Sequence, residues 1–449
     1  MIKKAVLVAA CCIATACTSS ADVAPKADEY LQALTDSGRF SGTVLLARDG
    51  KTLFVKGYGF ANEESRIPNS AATRFPIASI AKTFTATLVL QQQQRRTLSV
   101  ADPACNYLQP CPTAWREITV RQLLMHTSGI PDFAEAPDFM TRVGTRRTLD
   151  EVIATFRDQP LQFAPGTKFR YSNSGYFVLG AILEKVSGKP YSDLLEASIF
   201  KPLGMKDSGY DNQASVQPPL AIGYRPHGTD NAIAELVDSS WLYAAGGIYS
   251  TVEDLHKFEL ALTTDTLLPR DELAGMWSPE LGEYGYGWQL LPPSPQTLNR
   301  KLVFHAGGFP GYSTDLLRFP DDRVTVIILA NLHPVALADV SRDLSAIVLG
   351  ESYSVTPSRR AAKVDPDVYD AYVGRYEINP SVAIAVTREG DQLAVQATGQ
   401  AKDFAVPESD TTFFSRISTP RLSFVKDGSG VVNRLVIHDG DRDIPAVRK

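Results

Sequence analysis

Residues 75–85 read Phe-Pro-Ile-Ala-Ser-Ile-Ala-Lys-Thr-Phe-Thr, so that a serine, Ser79, is followed three positions later by a lysine, Lys82. Pro76 indicates a turn, and Ser79 is predicted to open a helix whose buried stripe is Ile80, Phe84 and Leu88. A serine hydroxyl is a poor nucleophile unless a neighbouring group takes its proton. Residues three apart on a helix share one face, so the Lys82 amine can be that group. The free backbone N–H at such a helix start also lies where a negatively charged oxygen is stabilised.

The pattern Ser-x-x-Lys occurs three times in the chain, and local structure separates the three copies. The copy at 198–201 is followed at once by Pro202, which is expected to end the helix. The copy at 423–426 lies in an alternating strand pattern, where residues three apart face opposite ways. Only Ser79 has the local structure that catalysis requires. Spacing alone still leaves open a structural reading, in which Ser79 caps a helix and Lys82 is solvated.

The stretch around Ser79 resembles the first motif of the penicillin-recognising serine hydrolases, which include AmpC-type β-lactamases, D,D-carboxypeptidases, D-aminopeptidases and related esterases. Four further stretches resemble that family in the expected order, across about residues 35–350. They are Ile-Thr-Val-Arg-Gln-Leu-Leu-Met-His-Thr-Ser-Gly-Ile at 118–130, Phe-Arg-Tyr-Ser-Asn-Ser-Gly-Tyr at 169–176, Tyr-Gly-Tyr-Gly-Trp at 284–288 and His-Ala-Gly-Gly-Phe-Pro-Gly-Tyr at 305–312.

The resemblance implies a role for each matching residue. Ser79 would attack a carbonyl carbon and form an acyl-enzyme. Tyr171 would exchange protons as phenol or phenolate beside Lys82, because a nearby cation lowers the pKa of a tyrosine. The acylation base is then either Tyr171 or Lys82. Asn173 would hydrogen-bond Lys82 and the substrate amide, and the backbone N–H groups of Ser79 and Gly308 would form the oxyanion hole.

The third motif is His305-Ala306-Gly307, with histidine where β-lactamases usually have lysine. If His305 lines the site, it offers a weaker, pH-dependent positive charge, which favours peptidase or esterase chemistry over recognition of a β-lactam carboxylate. His305 could instead be a strand histidine with a single hydrogen bond. We interpret His126 as structural rather than as part of a Ser-His-Asp triad, and the second Tyr-x-Asn, at 210–212, as a chance match.

Several other chemistries find no support in the sequence. Gly-x-Ser-x-Gly, His-Glu-x-x-His and a phosphate-binding loop do not occur, so we expect neither an α/β-hydrolase nucleophile elbow nor a metal or other cofactor. The net charge of the 449 residues is −5 and the basic residues are scattered, which gives no basic patch for nucleic acid.

The order of strand and helix patterns predicts an α+β fold for residues 30–350. A hairpin around Asp49-Gly50 opens this region and a strand pair, 316–319 with 324–330, closes it, with helical patterns between. The family resemblance specifies this as a β-lactamase/transpeptidase-like fold, an antiparallel sheet with flanking helices and an all-helical region. Residues 351–365 read as a linker. Residues 366–449 are predicted to form a small antiparallel barrel, and Tyr-Val-Gly-Arg-Tyr-Glu at 372–377 resembles the opening of a lipocalin-like domain.

The first 29 residues predict export. Residues 1–16 combine two lysines with a short apolar stretch, as a secretory signal peptide does. Ala14-Thr15-Ala16 before Cys17 is similar to a lipoprotein box, so Cys17 is a lipidation candidate with residues 17–29 as a tether; ordinary signal cleavage is the alternative. The protein would then be periplasmic or a membrane-anchored lipoprotein. In an oxidising compartment, Cys105 and Cys111 are expected to form a local disulfide.

The leading hypothesis is therefore an exported serine hydrolase that acts through an acyl-enzyme on an amide or ester, with D-amino-acid peptides as the first substrate class. A carboxylesterase or true β-lactamase on the same site is one alternative, and a non-catalytic penicillin-binding sensor is another. The expected partner is a small molecule or short peptide, with no nucleic acid. The sequence makes no prediction about oligomeric state.

Overall fold

The computed structural model describes residues 20–210, 220–354, 359–440 and 442–449. The first domain combines short and long strands with helices. Its strands are β1 (Gly42–Arg48), β2 (Lys51–Tyr58), β3 (Phe60–Asn62), β4 (Ile67–Pro68), β5 (Phe75–Pro76), β6 (Gly209–Tyr210), β7 (Tyr224–His227), β8 (Asp230–Ile233), β9 (Ile248–Ser250), β10 (Gln289–Leu291), β11 (Leu302–Phe309), β12 (Tyr312–Phe319) and β13 (Val324–Ala330). Its α-helices are α1 (Ser20–Asp36), α2 (Ala81–Gln94), α3 (Val120–Leu124), α4 (Phe139–Arg142), α5 (Leu149–Arg157), α6 (Asn173–Ser187), α7 (Tyr191–Leu195), α8 (Lys201–Leu203), α9 (Tyr243–Gly246), α10 (Val252–Ala261), α11 (Arg270–Met276) and α12 (Leu337–Leu349).

A six-stranded antiparallel sheet in the order β10-β11-β12-β13-β1-β2 joins the two ends of this domain. The fifth strand of this order, β1, lies antiparallel to β13, with Gly42 opposite Ala330. The predicted hairpin connects β1 to β2. Its turn residues Asp49 and Gly50 both have positive φ, at 55° and 73°. That conformation suits a two-residue turn between twisted strands and explains why Asp-Gly occurs there. The predicted α+β class is confirmed.

Every residue of β13 is buried, which shows that both faces of the sheet are covered. On one face, Val44, Val326 and Ile328 pack against α1 and α12. On the other face, Leu45, Ile327 and Leu329 belong to the core that contains α2 and α6. A helix that lies between a sheet and further helices is covered on all sides. This is why α2 is buried from Ala81 to Gln92, and not only along the stripe expected from its sequence.

Two expectations about chain segments are wrong in part. Residues 20–29 are not a tether, because α1 begins at Ser20 and the side chains of Val23 and Ala27 are fully buried in the core under α12. Pro202 does not end the helix that precedes it. A π-helical turn, Glu196–Phe200, leads from α7 into α8, which contains the proline near its start. The signal-peptide residues 1–16 and Cys17 lie outside the described residues.

The second domain is a closed antiparallel barrel of eight consecutive strands. They are β14 (Gly374–Asn379), β15 (Val382–Glu389), β16 (Gln392–Ala397), β17 (Asp403–Pro407), β18 (Thr412–Phe414), β19 (Arg421–Lys426), β20 (Val432–Asp439) and β21 (Arg442–Arg448). Pairing of Tyr376 with Arg448 closes the ring, and the Tyr372 and Phe424 rings stack inside it with centroids 4.2 Å apart. The predicted barrel is confirmed.

A buried arginine of the barrel ties the two domains together. Arg416 is 4% exposed, and its guanidinium donates to the Gly38 carbonyl oxygen at 2.7 Å and the Gly228 carbonyl oxygen at 3.2 Å. Gly228 belongs to the turn between β7 and β8. The ends of that hairpin lie close to the β11–β12 turn, because a Cβ on Gly311 would lie 2.7 Å from the Gly223 Cα. The barrel therefore contacts the first domain through a hairpin that also supports the end of β11.

Two further features complete the fold. The Sγ atoms of Cys105 and Cys111 lie at disulfide distance, with Cα atoms 5.5 Å apart, beside the helical region. Within the described ranges, none of the helices is both long enough and apolar enough to cross a bilayer.

Candidate active site

Ser79 lies in a short 3₁₀ turn, Ala78–Ile80, that runs directly into α2. Ala78 has φ 49°, a left-handed conformation that costs energy in a residue with a side chain. The strand β5 before it pairs with β9, which holds the turn from the other side. Ser79 is thereby presented, half-buried, at the first turn of a helix, as its sequence predicted.

Lys82 is fully buried beneath Ser79. Its Nζ lies 2.9 Å from Ser79 Oγ, 2.8 Å from Asn173 Oδ1 and 2.8 Å from the Ala245 carbonyl oxygen. The last two atoms can only accept hydrogen bonds. A neutral amine can donate one N–H to each of them and direct its lone pair at the Ser79 hydroxyl. Burial lowers the pKa of Lys82 to about 7, and the charge of Asp132 partly offsets that effect.

Asp132 anchors the amide that orients Lys82. Asn173 opens α6, and its Nδ2 donates to Asp132 Oδ2 at 2.9 Å, so its Oδ1 is fixed toward the amine. Asp132 also accepts from the Ala134 backbone N–H at 3.1 Å, and burial raises the pKa of its carboxyl group. Sequence reasoning missed Asp132. Its one signal in the sequence is its position just after the His-Thr-Ser-Gly-Ile stretch, which we interpret as structural.

Tyr171 faces the same amine. Lys82 Nζ lies 4.9 Å from the centroid of the Tyr171 ring, and the Tyr171 hydroxyl is buried with no hydrogen-bond partner of good geometry among the described residues. Burial raises the pKa of Tyr171, and the nearby Ser79 hydroxyl lowers it less. Of the two forms expected for Tyr171, phenol or phenolate, burial therefore favours the neutral phenol.

His126 lies behind Tyr171, with ring centroids 4.2 Å apart. Its Nδ1 accepts a hydrogen bond from the Ser172 backbone N–H at 3.1 Å, which fixes the chain just before Asn173. Burial lowers its pKa well below the usual value. These contacts support the structural interpretation of His126: it positions the segment that carries Tyr171 and Asn173.

His305 is buried at 2% exposure in β11. Its Nδ1 lies 2.7 Å from the Ala306 carbonyl oxygen and must donate to it. Its Nε2 then accepts from the Tyr284 hydroxyl at 2.9 Å. Burial, and secondarily the charge of Lys82, lowers the pKa of His305 to about 3. The expected pH-dependent positive charge is therefore wrong: His305 is neutral and holds Tyr284 beside Tyr171.

The two glycines after His305 shape the edge of the site. A Cβ on Gly307 would lie 2.4 Å from Thr314 Oγ1 and 2.6 Å from the Ile77 carbonyl oxygen, so only glycine lets β11 approach the turn before Ser79. Phe309 pairs with Tyr312 across a two-residue turn, and Gly308 pairs with Ser313. Because hydrogen-bonded and non-hydrogen-bonded pairs alternate, the Gly308 N–H points away from β12, toward the open edge.

A narrow cavity of about 110 Å³ opens at Ser79. Its side walls are largely aromatic and aliphatic, and no charged side chain lines it in the part of the chain that the structure describes. The lining includes Phe133, Phe139, Trp241, Leu242 and Phe309. The structure thus brings together Ser79, Lys82, Tyr171, Asn173, His305, Gly307 and Gly308. It leaves the other two Ser-x-x-Lys copies elsewhere, in the π-helical turn and in β19.

Comparisons with known proteins match both domains. The family description Beta-lactamase matches residues 27–349, and Domain of unknown function (DUF3471) matches residues 358–445. Penicillin-binding protein 4* of Bacillus subtilis (strain 168) is 30% identical over 443 residues, covering 92% of this chain and 96% of its own length.

The chain is also similar to solved structures, among them the following two. A penicillin-binding protein from Bacillus halodurans is 29% identical, with a TM-score of 0.62, over 71% of this chain and 99% of its own. A D-stereospecific amidohydrolase from Streptomyces sp. is 26% identical, with a TM-score of 0.60, over 72% of this chain and 99% of its own.

Proposed function

Because the chain belongs to the beta-lactamase family, we propose that it is an exported serine hydrolase that forms an acyl-enzyme on Ser79 and hydrolyses amides of D-amino acids and short D-peptides. One observation carries the proposal: a buried lysine with a pKa of about 7 contacts a serine at a helix start, beside an unpaired tyrosine hydroxyl.

The geometry supports a division of labour between Lys82 and Tyr171. Neutral Lys82 accepts the Ser79 proton as Oγ attacks the carbonyl carbon, since its two N–H groups are already directed at Asn173 and Ala245. The developing oxyanion accepts hydrogen bonds from the backbone N–H groups of Ser79 and Gly308. Tyr171, a neutral phenol, donates its proton to the leaving nitrogen and regains one from Lys82. Water then attacks the acyl-enzyme with neutral Lys82 again as base.

The cavity favours an apolar acyl group over a substrate carboxylate. Aromatic side chains such as Phe139 and Trp241 suit an apolar residue beside the scissile bond. A D,D-carboxypeptidase substrate or a β-lactam presents a carboxylate, whereas the lining offers no cation and His305 is neutral. The D-stereospecific amidohydrolase that is 26% identical to this chain supports an amide of a D-amino acid as substrate.

A turnover assay tests this proposal. We expect the purified chain to hydrolyse D-phenylalanine amide faster than its L-enantiomer, faster than a D-alanyl-D-alanine peptide and faster than a chromogenic β-lactam. Ser79→Ala should abolish turnover, and Ser198→Ala, the serine of another Ser-x-x-Lys copy, should not change it. Rapid labelling by a fluorescent penicillin with no turnover of any amide or ester would instead establish a penicillin-binding sensor.

The cavity can be tested separately. Phe139→Ala should lower kcat/KM for D-phenylalanine amide more than for D-alanine amide, because only the larger side chain contacts that wall. An equal loss for both amides would place the substrate side chain elsewhere.

Export and lipidation belong to the same proposal and rest on the sequence of residues 1–17. Expression in a bacterial host with radiolabelled palmitate should label the wild-type chain and not Cys17→Ala. Unlabelled protein with a free N-terminus after Ala16 would show ordinary signal cleavage.

A further inference from the structure

A second, larger pocket of about 480 Å³ lies on the opposite face of the large sheet, between β11, β12 and the start of α12. Its walls are mostly aliphatic and aromatic side chains, including Leu302, Phe304, Leu317 and Leu337. The volume lies in the range of small-molecule sites in proteins. Nothing in the proposed hydrolysis at Ser79 uses this pocket.

One carboxyl group projects into these apolar walls. Asp315 in β12 is 5% exposed and lies opposite Ala306 on one neighbouring strand and Ile328 on the other. Its Oδ2 accepts a hydrogen bond from Ser341 Oγ at 2.5 Å, whereas its Oδ1 is buried with no partner among the described residues. Buried carboxylate oxygens are normally paired, so Oδ1 of Asp315 lacks the hydrogen-bond donor that such an oxygen usually has. Burial also raises the pKa of Asp315 to about 7.

The other ionisable groups of the pocket do not neutralise Asp315. Arg342 is the only arginine or lysine among the residues found to line it, and its Nη1 lies 3.4 Å from Asp343. Asp339 adds a second acidic group at the same rim. His333 engages Ser313 through Nδ1, and burial lowers its pKa, so it is neutral. Among the described residues, the pocket therefore combines an apolar body with a carboxyl group that has no cationic partner.

We propose that this pocket binds a small primary amine that carries an apolar group, with the ammonium on Asp315 and the hydrocarbon against Leu302, Phe304 and Leu317. The ammonium supplies a hydrogen-bond donor for Oδ1 of Asp315. It also supplies a positive charge opposite the carboxylate. This site is distinct from the cavity at Ser79.

The pocket also reaches the strand that carries the oxyanion donor. Ala306 and Gly307 of β11 line it from the side opposite Ser79, and Gly308 follows them. A bound amine contacts the back of this strand, so its occupancy should change the rate at which Ser79 is acylated. This effect provides a second readout.

Calorimetric titration of the full chain with n-hexylamine and n-hexanol tests the proposal, at about pH 8, above the Asp315 pKa of about 7. The amine should bind about tenfold more tightly than the alcohol, the usual worth of one charge-assisted hydrogen bond. Asp315→Asn should abolish this preference, and Ser79→Ala should retain it. Equal binding of amine and alcohol, an unchanged preference in Asp315→Asn, or its loss in Ser79→Ala would overturn the proposal.

A second variant guards against misfolding of Asp315→Asn. Ala338→Phe adds a ring at the exposed rim of the pocket and keeps the carboxylate, so it should weaken amine binding while leaving the unfolding temperature near that of the wild type. Unweakened binding in a folded Ala338→Phe would place the amine elsewhere. Sedimentation showing that a second copy of the chain covers this face, with no displacement by hexylamine, would also refute the proposal.

Discussion

Acylation of Ser79 should rise with pH through a single ionisation near pH 7, because the base is the neutral form of Lys82. Below that pH the amine is protonated and has no lone pair for the Ser79 proton. Above it, the two N–H bonds to Asn173 and Ala245 remain and the lone pair is free. The sign follows from burial, which disfavours the charged form of an amine and lowers its pKa.

The size of the effect follows from the shift. A lysine with the ordinary pKa of 10.5 is neutral in about three molecules in ten thousand at pH 7, whereas Lys82 is neutral in about half. The second-order acylation rate constant should therefore climb about tenfold per pH unit below pH 7 and level off above it. Removal of the base should cost about 10² to 10⁴ in rate.

Labelling by a fluorescent penicillin or a fluorophosphonate, followed over time between about pH 5 and 9, measures this rate constant. Lys82→Met removes the base and keeps much of the side-chain volume. Tyr171→Phe is the comparison variant, because it removes the hydroxyl that protonates the leaving nitrogen and leaves the base, Lys82, in place. Its acylation rate should fall less than that of Lys82→Met, with the same ionisation near pH 7.

Two results would refute this reasoning. If Tyr171→Phe lost the pH 7 ionisation while Lys82→Met kept it, Tyr171 would be the base. If the rate fell with rising pH, the reactive form of the enzyme would carry protonated Lys82.

Three further predictions concern the same site. Lys82→Met should gain stability relative to the wild type as pH falls from about 10.5 to 7, because in that range the unfolded wild-type chain binds a proton on Lys82 that the folded chain does not. The gain should reach about 5 kcal/mol in the free energy of unfolding, measured by chemical denaturation. A difference that does not depend on pH would contradict the lowered pKa of Lys82. Gly307→Ala should slow acylation by penicillin far more than Gly308→Ala, because the Cβ contacts are 2.4 Å and 3.4 Å; equal rates would mean that β11 tolerates a Cβ at both. His305→Ala should lower the unfolding free energy by at least about 1 kcal/mol, the usual net worth of a buried hydrogen bond, because it removes the bond between the Tyr284 hydroxyl and Nε2. It should leave the pH profile of acylation unshifted; loss of an ionisation would show a charged histidine.

The parts of the fold that were predictable depend on local patterns. Asp49-Gly50 between alternating strands specifies a hairpin, and the barrel strands alternate in the same way. The prediction of a tether for residues 20–29 is wrong because the burial of Val23 and Ala27 depends on α12, which lies far along the chain. Helix α2 similarly looked amphipathic because nothing local indicates that helices pack on its other side.

The features of the site that could be predicted are likewise those that depend on local sequence. The spacing of Ser79 and Lys82 is local and could be read directly, and order along the chain identified Tyr171 and Asn173. The protonation states of Tyr171 and His305 could not be read, because burial by distant segments sets them. Asp132 was missed because its contact with Asn173 spans a loop and a helix start.

The pairing of β1 with β13 also sets the order in which this chain can fold. Gly42 pairs with Ala330, so the sheet cannot be completed until most of the first domain has been synthesised. Before that, the β1–β2 hairpin is marginal by itself. Closing so long a loop is entropically costly and slows folding. The pairing of β1 with β13 would thus form only late in synthesis, after residues 324–330 have left the ribosome.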